Sequence, residues 1–325
     1  MKAIVCTELG PPSSLKYMDV ADPTPGPKEV LVETRACAVN FPDSLIIQGK
    51  YQFRPELPFS PGSDISGRVI AVGEQVSQYK PGDEVFGVTQ HGGMAEKVVV
   101  HHKMLFPKPP GLPHEIAASF LYAYGTSLHA LKDRAQLQDS ETVVILGAAG
   151  GVGLAAVDIA KKLGAKVIAC ASTTEKLDLC KTYGADAVIN YQEEDLKAQI
   201  KALTNGKGAD VIYDPVGGSY TEPAFRGMAW KGRYLVVGFA AGDIPALPLN
   251  LPLLKGAALT GVFWGRFTQE EPQLSMANGL QIMQWMQEGQ IKPHIHKTFS
   301  LEQAPAAIEE LMARKVKGKV VVKIS

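Results

Sequence analysis

The chain's clearest chemical signal lies in its glycines. Between an apolar run, Thr142–Leu146, and an alanine-rich run, Gly153–Leu163, it reads Leu146-Gly147-Ala148-Ala149-Gly150-Gly151-Val152-Gly153. A strand that enters a helix through such a turn presents unpaired backbone N–H groups at the positive end of the helix dipole. That is what a dinucleotide pyrophosphate needs. Gly150 lets the backbone approach the phosphates, and Gly153 lets helix and strand pack closely. Gly147 opens the turn, because Ala148 stands where the G-x-G-x-x-G pattern has its first glycine. A glycine-rich turn alone is common, and its plain alternative is a flexible loop. Here the preceding strand, the helix and a second strand at Lys166–Ala171 make it a nucleotide site.

The tip of that second strand selects the nucleotide. NAD-binding units place Asp or Glu there, about 20 residues past the glycines, to accept from the ribose 2′-OH. This strand ends Ala169-Cys170-Ala171-Ser172-Thr173-Thr174, without an acid. Hydroxyls followed by Lys176 suit an anionic 2′-phosphate, which a carboxylate would repel. The cofactor expected is therefore NADPH. Ser172-Thr173-Thr174-Glu175 also scans as a helix capping box, and the two roles are compatible.

Little else in the chain can do chemistry unaided. There is no Ser-His-Asp set and no paired-carboxylate constellation, and the seven histidines form no metal-ligand pattern. His101-His102 follows a strand, His294 and His296 fall in a loop, and His129 sits on a helix where core packing is the better reading. Cys6, Cys37, Cys170 and Cys180 are scattered, which excludes a disulfide framework and a four-cysteine zinc site. Tyr51, Tyr122 or Tyr124 could hydrogen-bond an acceptor oxygen, or simply pack. Hydride transfer needs no more, since the cofactor brings the reactivity and the protein positions the partners.

The elements that must hold these residues fall into two textures. At 325 residues two domains are expected. The first 110 residues are β-rich, with short apolar runs at Lys2–Cys6, Glu29–Ala38, Gly67–Val72, Glu84–Val88 and Ala95–Val100, separated by Pro and Gly turns. From about residue 121 strand, glycine turn and helix alternate, which is an α/β doubly wound parallel sheet. The tail carries helices near Gln273–Gln287 and Leu301–Arg314 and a last strand, Lys319–Ile324, and is expected to return to the first domain. The expected division is 1–120 completed by 266–325, and 121–265. Lys+Arg and Asp+Glu are both 33, so no basic excess would hold nucleic acid. No run of 18 apolar residues and no signal-peptide start occur, so a cytoplasmic protein without membrane insertion is expected.

Seven motifs stand in order along the chain: Asn40-Phe41-Pro42-Asp43, Leu57-Pro58-Phe59-Ser60-Pro61-Gly62, Gly82-Asp83, Ala149-Gly150-Gly151-Val152-Gly153, Gly184-Ala185-Asp186, Ile189-Asn190-Tyr191 and Asp214-Pro215-Val216-Gly217-Gly218. Together they resemble the zinc-free quinone oxidoreductases, the zeta-crystallin-like family of the medium-chain dehydrogenase/reductase superfamily. The resemblance implies a GroES-like β-barrel catalytic domain beside a Rossmann domain. Zinc-dependent relatives carry ligands where this chain has Asn40, Ser63 and Tyr122, so no metal is expected. Amide and hydroxyl groups cannot replace thiolate and imidazole on zinc.

Residue by residue, the resemblance places Asn40 and Thr126 at the nicotinamide end and Gly151 and Val152 at the pyrophosphate. Ser172, Lys176 and Tyr191 surround the 2′-phosphate. Val237 and Gly238 line the nicotinamide pocket by backbone, and Gly318 and Lys319 close over it. Asp43 and Tyr51 fall near the acceptor, and Leu45 replaces a second tyrosine of some relatives. The implied reaction is hydride transfer to a quinone. Alternatives are an activated alkene (2-enone, 2-enal or acryloyl-CoA) or a non-catalytic NADPH-binding protein. The apolar segment Ala257–Phe263 is expected to be the last strand of the Rossmann sheet and to pair with its copy in a homodimer. On that expectation Pro at Thr260 or Val262 would remove a bond to the partner.

Overall fold

The computed structural model describes residues 1–324. The chain divides into two compact units, Met1–Tyr122 with Pro293–Ser325, and Ala123–Lys292. The return to the first unit thus comes at Pro293 rather than the expected 266. The helix Pro272–Gln287 stays with the second unit because side chains anchor it there: Asn278 Nδ2 donates to Asp133 (2.7 Å), and Lys132 Nζ donates to Asn278 Oδ1 (3.0 Å). His129 stacks on Phe267 at 3.8 Å between centroids and bonds Asp133, so it packs as expected.

The first unit is built on Glu29–Val39, an eleven-residue strand that pairs antiparallel with Asp64–Val72, Lys97–His101 and Lys319–Lys323. Glu84–Val88 and Leu105–Pro107 extend the sheet on one side, and Ile295–Ser300 on the other. Its core gathers Val30, Val32, Ile65, Val69, Val85, Met94 and Val320, all almost wholly buried. Register sets Val320 opposite Val39. The chain's last helix, Ala304–Met312, and its last strand therefore pack against the segment that begins at Asn40.

The second unit holds six parallel strands in the order Ala187–Asn190, Lys166–Ala171, Thr142–Ile145, Ala209–Asp214, Met228–Val236 and Ala258–Gly261. Val143, Val144, Ile145, Val167, Val211 and Ile212 are completely buried, as strands covered on both faces must be. The chain starts in mid-sheet and reverses direction between Thr142–Ile145 and Ala209–Asp214. At such a switch point the carboxyl ends of the strands open a crevice for ligand.

Gly153 has a steric reason to be glycine. A Cβ there would lie 2.2 Å from the Gly147 carbonyl oxygen and 2.8 Å from Ala148 Cα, both backbone atoms that cannot step aside. Gly153→Ala should cost about 1–3 kcal/mol through forced backbone movement. A melting temperature equal to that of the wild type would contradict this.

The last strand faces outward differently from expectation. Val262 N–H donates to Val236 O at 2.9 Å, inside the sheet. Strand alternation then turns the Thr260 N–H inward as well, and the N–H groups of Leu259 and Gly261 outward. Proline at Thr260 or Val262 would break the chain's own ladder rather than a partner's. Among the described residues, no helix is long and apolar enough to cross a membrane.

Candidate active site

In the second unit, the turn after Thr142–Ile145 is pinned by Leu146 N–H to Tyr213 O (3.0 Å) and Ala148 N–H to Cys170 O (3.0 Å). The helix Gly151–Lys162 follows, with Gly150 as its N-cap at φ −78° and no side chain capping it. Gly151, Val152 and Gly153 form its first turn, whose N–H groups have no carbonyl within the helix to bond. Ser127 Oγ donates to Val152 O at 2.8 Å, which ties its helix to this turn; Thr126 precedes it on the same helix. The Thr126 hydroxyl is buried and has no hydrogen-bond partner. A buried hydroxyl without a partner leaves a donor and an acceptor that an amide or a ribose could satisfy.

The second strand's tip departs from the capping reading in one respect. The N-cap of the helix Thr174–Thr182 is Thr173, whose Oγ1 accepts from Lys176 N–H at 3.4 Å. Ser172, one residue earlier, is not needed to cap. Tyr191 N–H donates to Ala171 O (3.3 Å), so Tyr191 and Ser172 share one corner of the sheet. Val237 and Gly238 N–H both donate to Asp214 O, at 2.9 and 3.3 Å.

Asp214, the first residue of the Asp214–Gly218 motif, organises this edge. Its carboxylate accepts from Val216 N–H (2.7 Å), Gly217 N–H (2.8 Å), Thr221 Oγ1 (3.1 Å) and Tyr234 Oη (2.5 Å). Burial, with that carboxylate beside it, pushes the Tyr234 phenol far up. The signal for this role was a lone Asp at a strand's carboxyl end followed by turn residues.

The first unit gathers a buried charged cluster. Asn40 caps the short helix Phe41–Ile46, and Asp43 reciprocates, accepting Asn40 N–H at 2.7 Å and Gly62 N–H at 3.2 Å. Both carboxylate oxygens of Asp43 are thus engaged with backbone, which makes it a positioning group. Lys319 lies wholly inside the unit. Its Nζ donates to the Asn40 amide oxygen and to Val39 O (3.3 Å), and stands 3.8 Å from Asp64 Oδ2. An ammonium carries only donors, so the Asn40 amide must turn its oxygen inward. The link between Lys319 and Asn40 could not be read from sequence, since 279 residues separate them. Burial, with the Tyr51 phenol beside it, pushes the Tyr122 phenol well up.

Burial pushes the Asp64 carboxyl up to about 7, against the pull of Lys319, and the Asp43 carboxyl up to about 6. Burial lowers the Lys319 ammonium, opposed by Asp64 and Asp43. Neither oxygen of Asp64 has a hydrogen-bond partner. The groups facing it are Lys319, Asp43, Tyr122 and the Asn40 amide. The folded state binds a proton at Asp64 that the unfolded state has released, so stability falls as pH rises from about 4 to 7. Asp64→Asn should flatten that slope, and calorimetric melting between pH 5 and 8 checks it. A slope as steep as the wild type's would contradict the assignment.

The residues standing at the metal-ligand positions of relatives do not fit zinc. The Asn40 oxygen already meets an ammonium, and Ser63 and Tyr122 offer no thiolate or imidazole. Among the described residues no three His, Cys, Asp or Glu side chains converge.

Comparison with known proteins agrees with this architecture. Residues 26–110 match the alcohol dehydrogenase GroES-like domain, and residues 151–278 match the family described as zinc-binding dehydrogenase. A quinone oxidoreductase-like protein 2 homolog of Nematostella vectensis is 40% identical over 324 residues, covering 99% of this chain and 88% of that protein. The Escherichia coli quinone oxidoreductase crystallised with NADPH superposes with a TM-score of 0.92 at 27% identity, over 99% of this chain and all of that one. The CurK enoyl reductase gives 0.91 at 27% identity, over all of this chain and 99% of that one. The two-part α/β fold, GroES-like and Rossmann, and the identity over nearly the whole length place this oxidoreductase in the quinone oxidoreductase family of medium-chain dehydrogenases/reductases.

Proposed function

We propose that the protein is an NADPH-dependent reductase that passes hydride to a quinone without a metal. The observation that carries this reading is the acid-free tip of the second Rossmann strand, where Ser172 and Lys176 stand beside an uncapped glycine turn. The orphaned Thr126 hydroxyl and the bare Gly150 cap are features a dinucleotide would complete. When bound, NADPH supplies the hydride.

The chain's own residues divide the remaining work. Gly150, Gly151, Val152 and Gly153 offer backbone N–H groups and close approach to the pyrophosphate. Ser172, Lys176 and Tyr191 take the 2′-phosphate. Thr126 and the backbone of Val237 and Gly238 hold the nicotinamide end, the latter two fixed through Asp214. Asn40 meets the reacting end with its amide oriented by Lys319 and its backbone held by Asp43. Lys319 therefore acts through Asn40, because its ammonium is committed inside the first unit. Tyr51 hydrogen-bonds the acceptor oxygen. A quinone is electrophilic enough that solvent can provide the proton.

A second acceptor class, activated alkenes, is favoured by the likeness to the CurK enoyl reductase. NADPH oxidation followed with benzoquinone, naphthoquinone, crotonaldehyde and acryloyl-CoA decides between them. Turnover confined to the alkenes would replace quinone by alkene, and none with any of the four would overturn the reductase reading. Protein prepared without chelator should contain well under one zinc per chain, and EDTA should leave turnover unchanged. Stoichiometric zinc would refute the metal-free mechanism. The four cysteines are free and buried, which suits a reducing compartment such as the cytoplasm. We further infer a homodimer through the Ala258–Gly261 edge, and no nucleic acid partner.

A further inference from the structure

Tyr220 ends a short 3-10 turn, Gly218–Tyr220, that follows the Ala209–Asp214 strand. The backbone leading to it is tightly held. Gly217 and Gly218 both adopt left-handed φ, +69° and +62°, and a Cβ on either would come within 2.9 Å of a side chain, Phe239 or Ala241. The Asp214 carboxylate binds the N–H groups of Val216 and Gly217 and the hydroxyl of Thr221 on the far side of Tyr220. Gly218 N–H donates to Asp243 O at 3.2 Å. The loop is thus bent back on itself and clamped at both ends.

The clamp delivers the Tyr220 ring against Tyr191, with centroids 4.4 Å apart and planes 40° to each other. Tyr191 follows the Ala187–Asn190 strand, which is separated from Ala209–Asp214 by two others in the sheet. Gln192 fixes the pair. Its Nε2 donates to Tyr220 Oη at 2.5 Å, while its own N–H donates to Asn190 Oδ1 at 3.2 Å. Both rings are only half-buried. Both rings pack on the rim of this unit's hydrophobic core and keep part of their surface open. At the carboxyl edge of a parallel sheet, beside the tip that carries Ser172, such a pair is a surface for a flat heterocycle.

We propose that Tyr220, together with Tyr191, forms the stacking wall for the adenine ring of the dinucleotide, with Gln192 holding Tyr220 in place. The proposal rests on the NADPH reading above and adds a residue that recognises the adenosine half. It concerns binding at that half only, so Tyr220 should not affect a ligand lacking adenine.

The test uses the full chain with Tyr220→Ala and Tyr220→Phe, titrated calorimetrically with NADPH, adenosine 2′,5′-bisphosphate and reduced nicotinamide mononucleotide. Loss of a base-stacking aromatic weakens binding about five- to hundredfold. Tyr220→Ala should raise Kd for NADPH and for the bisphosphate by that factor, while Tyr220→Phe stays within about threefold because the ring remains. Affinity for the mononucleotide, which has no adenine, should not change. If Tyr220→Ala leaves the bisphosphate Kd within about twofold of the wild type, the pair only packs and the proposal falls. It falls equally if the mononucleotide weakens in step, since that marks general loosening. Wild-type protein that binds neither NADPH nor the bisphosphate would defeat the cofactor reading itself, and this proposal with it.

Discussion

Lys176→Ala is expected to raise KM for NADPH ten- to hundredfold while leaving KM for NADH within about threefold. The charge-assisted bond from an ammonium to a 2′-phosphate contributes about 1.5–3 kcal/mol, and NADH has no group to receive it. The position makes the comparison clean. Lys176 lies in the first turn of the Thr174–Thr182 helix, and that turn is held by the Thr173 hydroxyl on the Lys176 backbone N–H, which alanine retains. The variant therefore keeps its helix start and loses only the side chain. Steady-state kinetics with both cofactors and one acceptor check this. Equal KM values for NADPH and NADH in the wild type would sink the 2′-phosphate assignment, whatever the variant did. A drop in kcat at unchanged KM would place Lys176 at the wrong end of the cofactor.

Much of the second unit was legible because parallel strands and their crossover helices write local patterns. The helix Gly151–Lys162 and the strand Lys166–Ala171 stand where their alanine-rich and apolar runs put them. The Met228–Val236 strand is harder to read, because its first half carries an exposed Trp230 and a bulge interrupts its run. The boundary near residue 266 was missed for another reason. An amphipathic helix shows which face it buries but not which unit it buries it in, and Asn278 meeting Asp133 decides that here. The same holds for the site. Asn40 and Lys319 were separately named, but their bond, and the ion pair of Lys319 with buried Asp64 beside it, exist only because Lys319–Lys323 pairs with Glu29–Val39. Asp43, named for the acceptor end, uses its carboxylate on its own helix and on Gly62. A capping box and a catalytic acid look alike in a string of letters.

Leu259→Pro is expected to convert a dimer to a monomer, and the direction of one N–H makes the case. The strand Ala258–Gly261 is the last of its sheet, pairs among the described residues with Met228–Val236 alone, and carries no charged residue. An edge strand without charges of its own, open at Leu259, invites another strand. The chain does not hide it: Leu259 is 43% exposed and Phe263 49%. The preceding residues Ile244, Leu249, Leu253 and Leu254 are also exposed, so the strand is flanked by apolar surface. A second copy related by a two-fold axis would cover the same segment on both sides.

Because Val262 N–H bonds Val236 O within the sheet, the Leu259 N–H points away from it. Proline at 259 removes only an outward donor, whereas proline at 260 removes an inward one. Leu259→Pro should therefore dissociate the dimer at little cost to the fold of each chain. Thr260→Pro should lower the melting temperature of the chain itself. The outward carbonyl of Gly261 is partly occupied by Arg134 Nε at 3.1 Å, so pairing with the partner should centre on Leu259. Sedimentation equilibrium at micromolar concentration distinguishes the cases. The wild type should weigh two chains, or four if dimers pair again, and Leu259→Pro one. A wild type with the mass of a single chain, or a Leu259→Pro variant that remains dimeric, would mean that this edge is not where the copies meet.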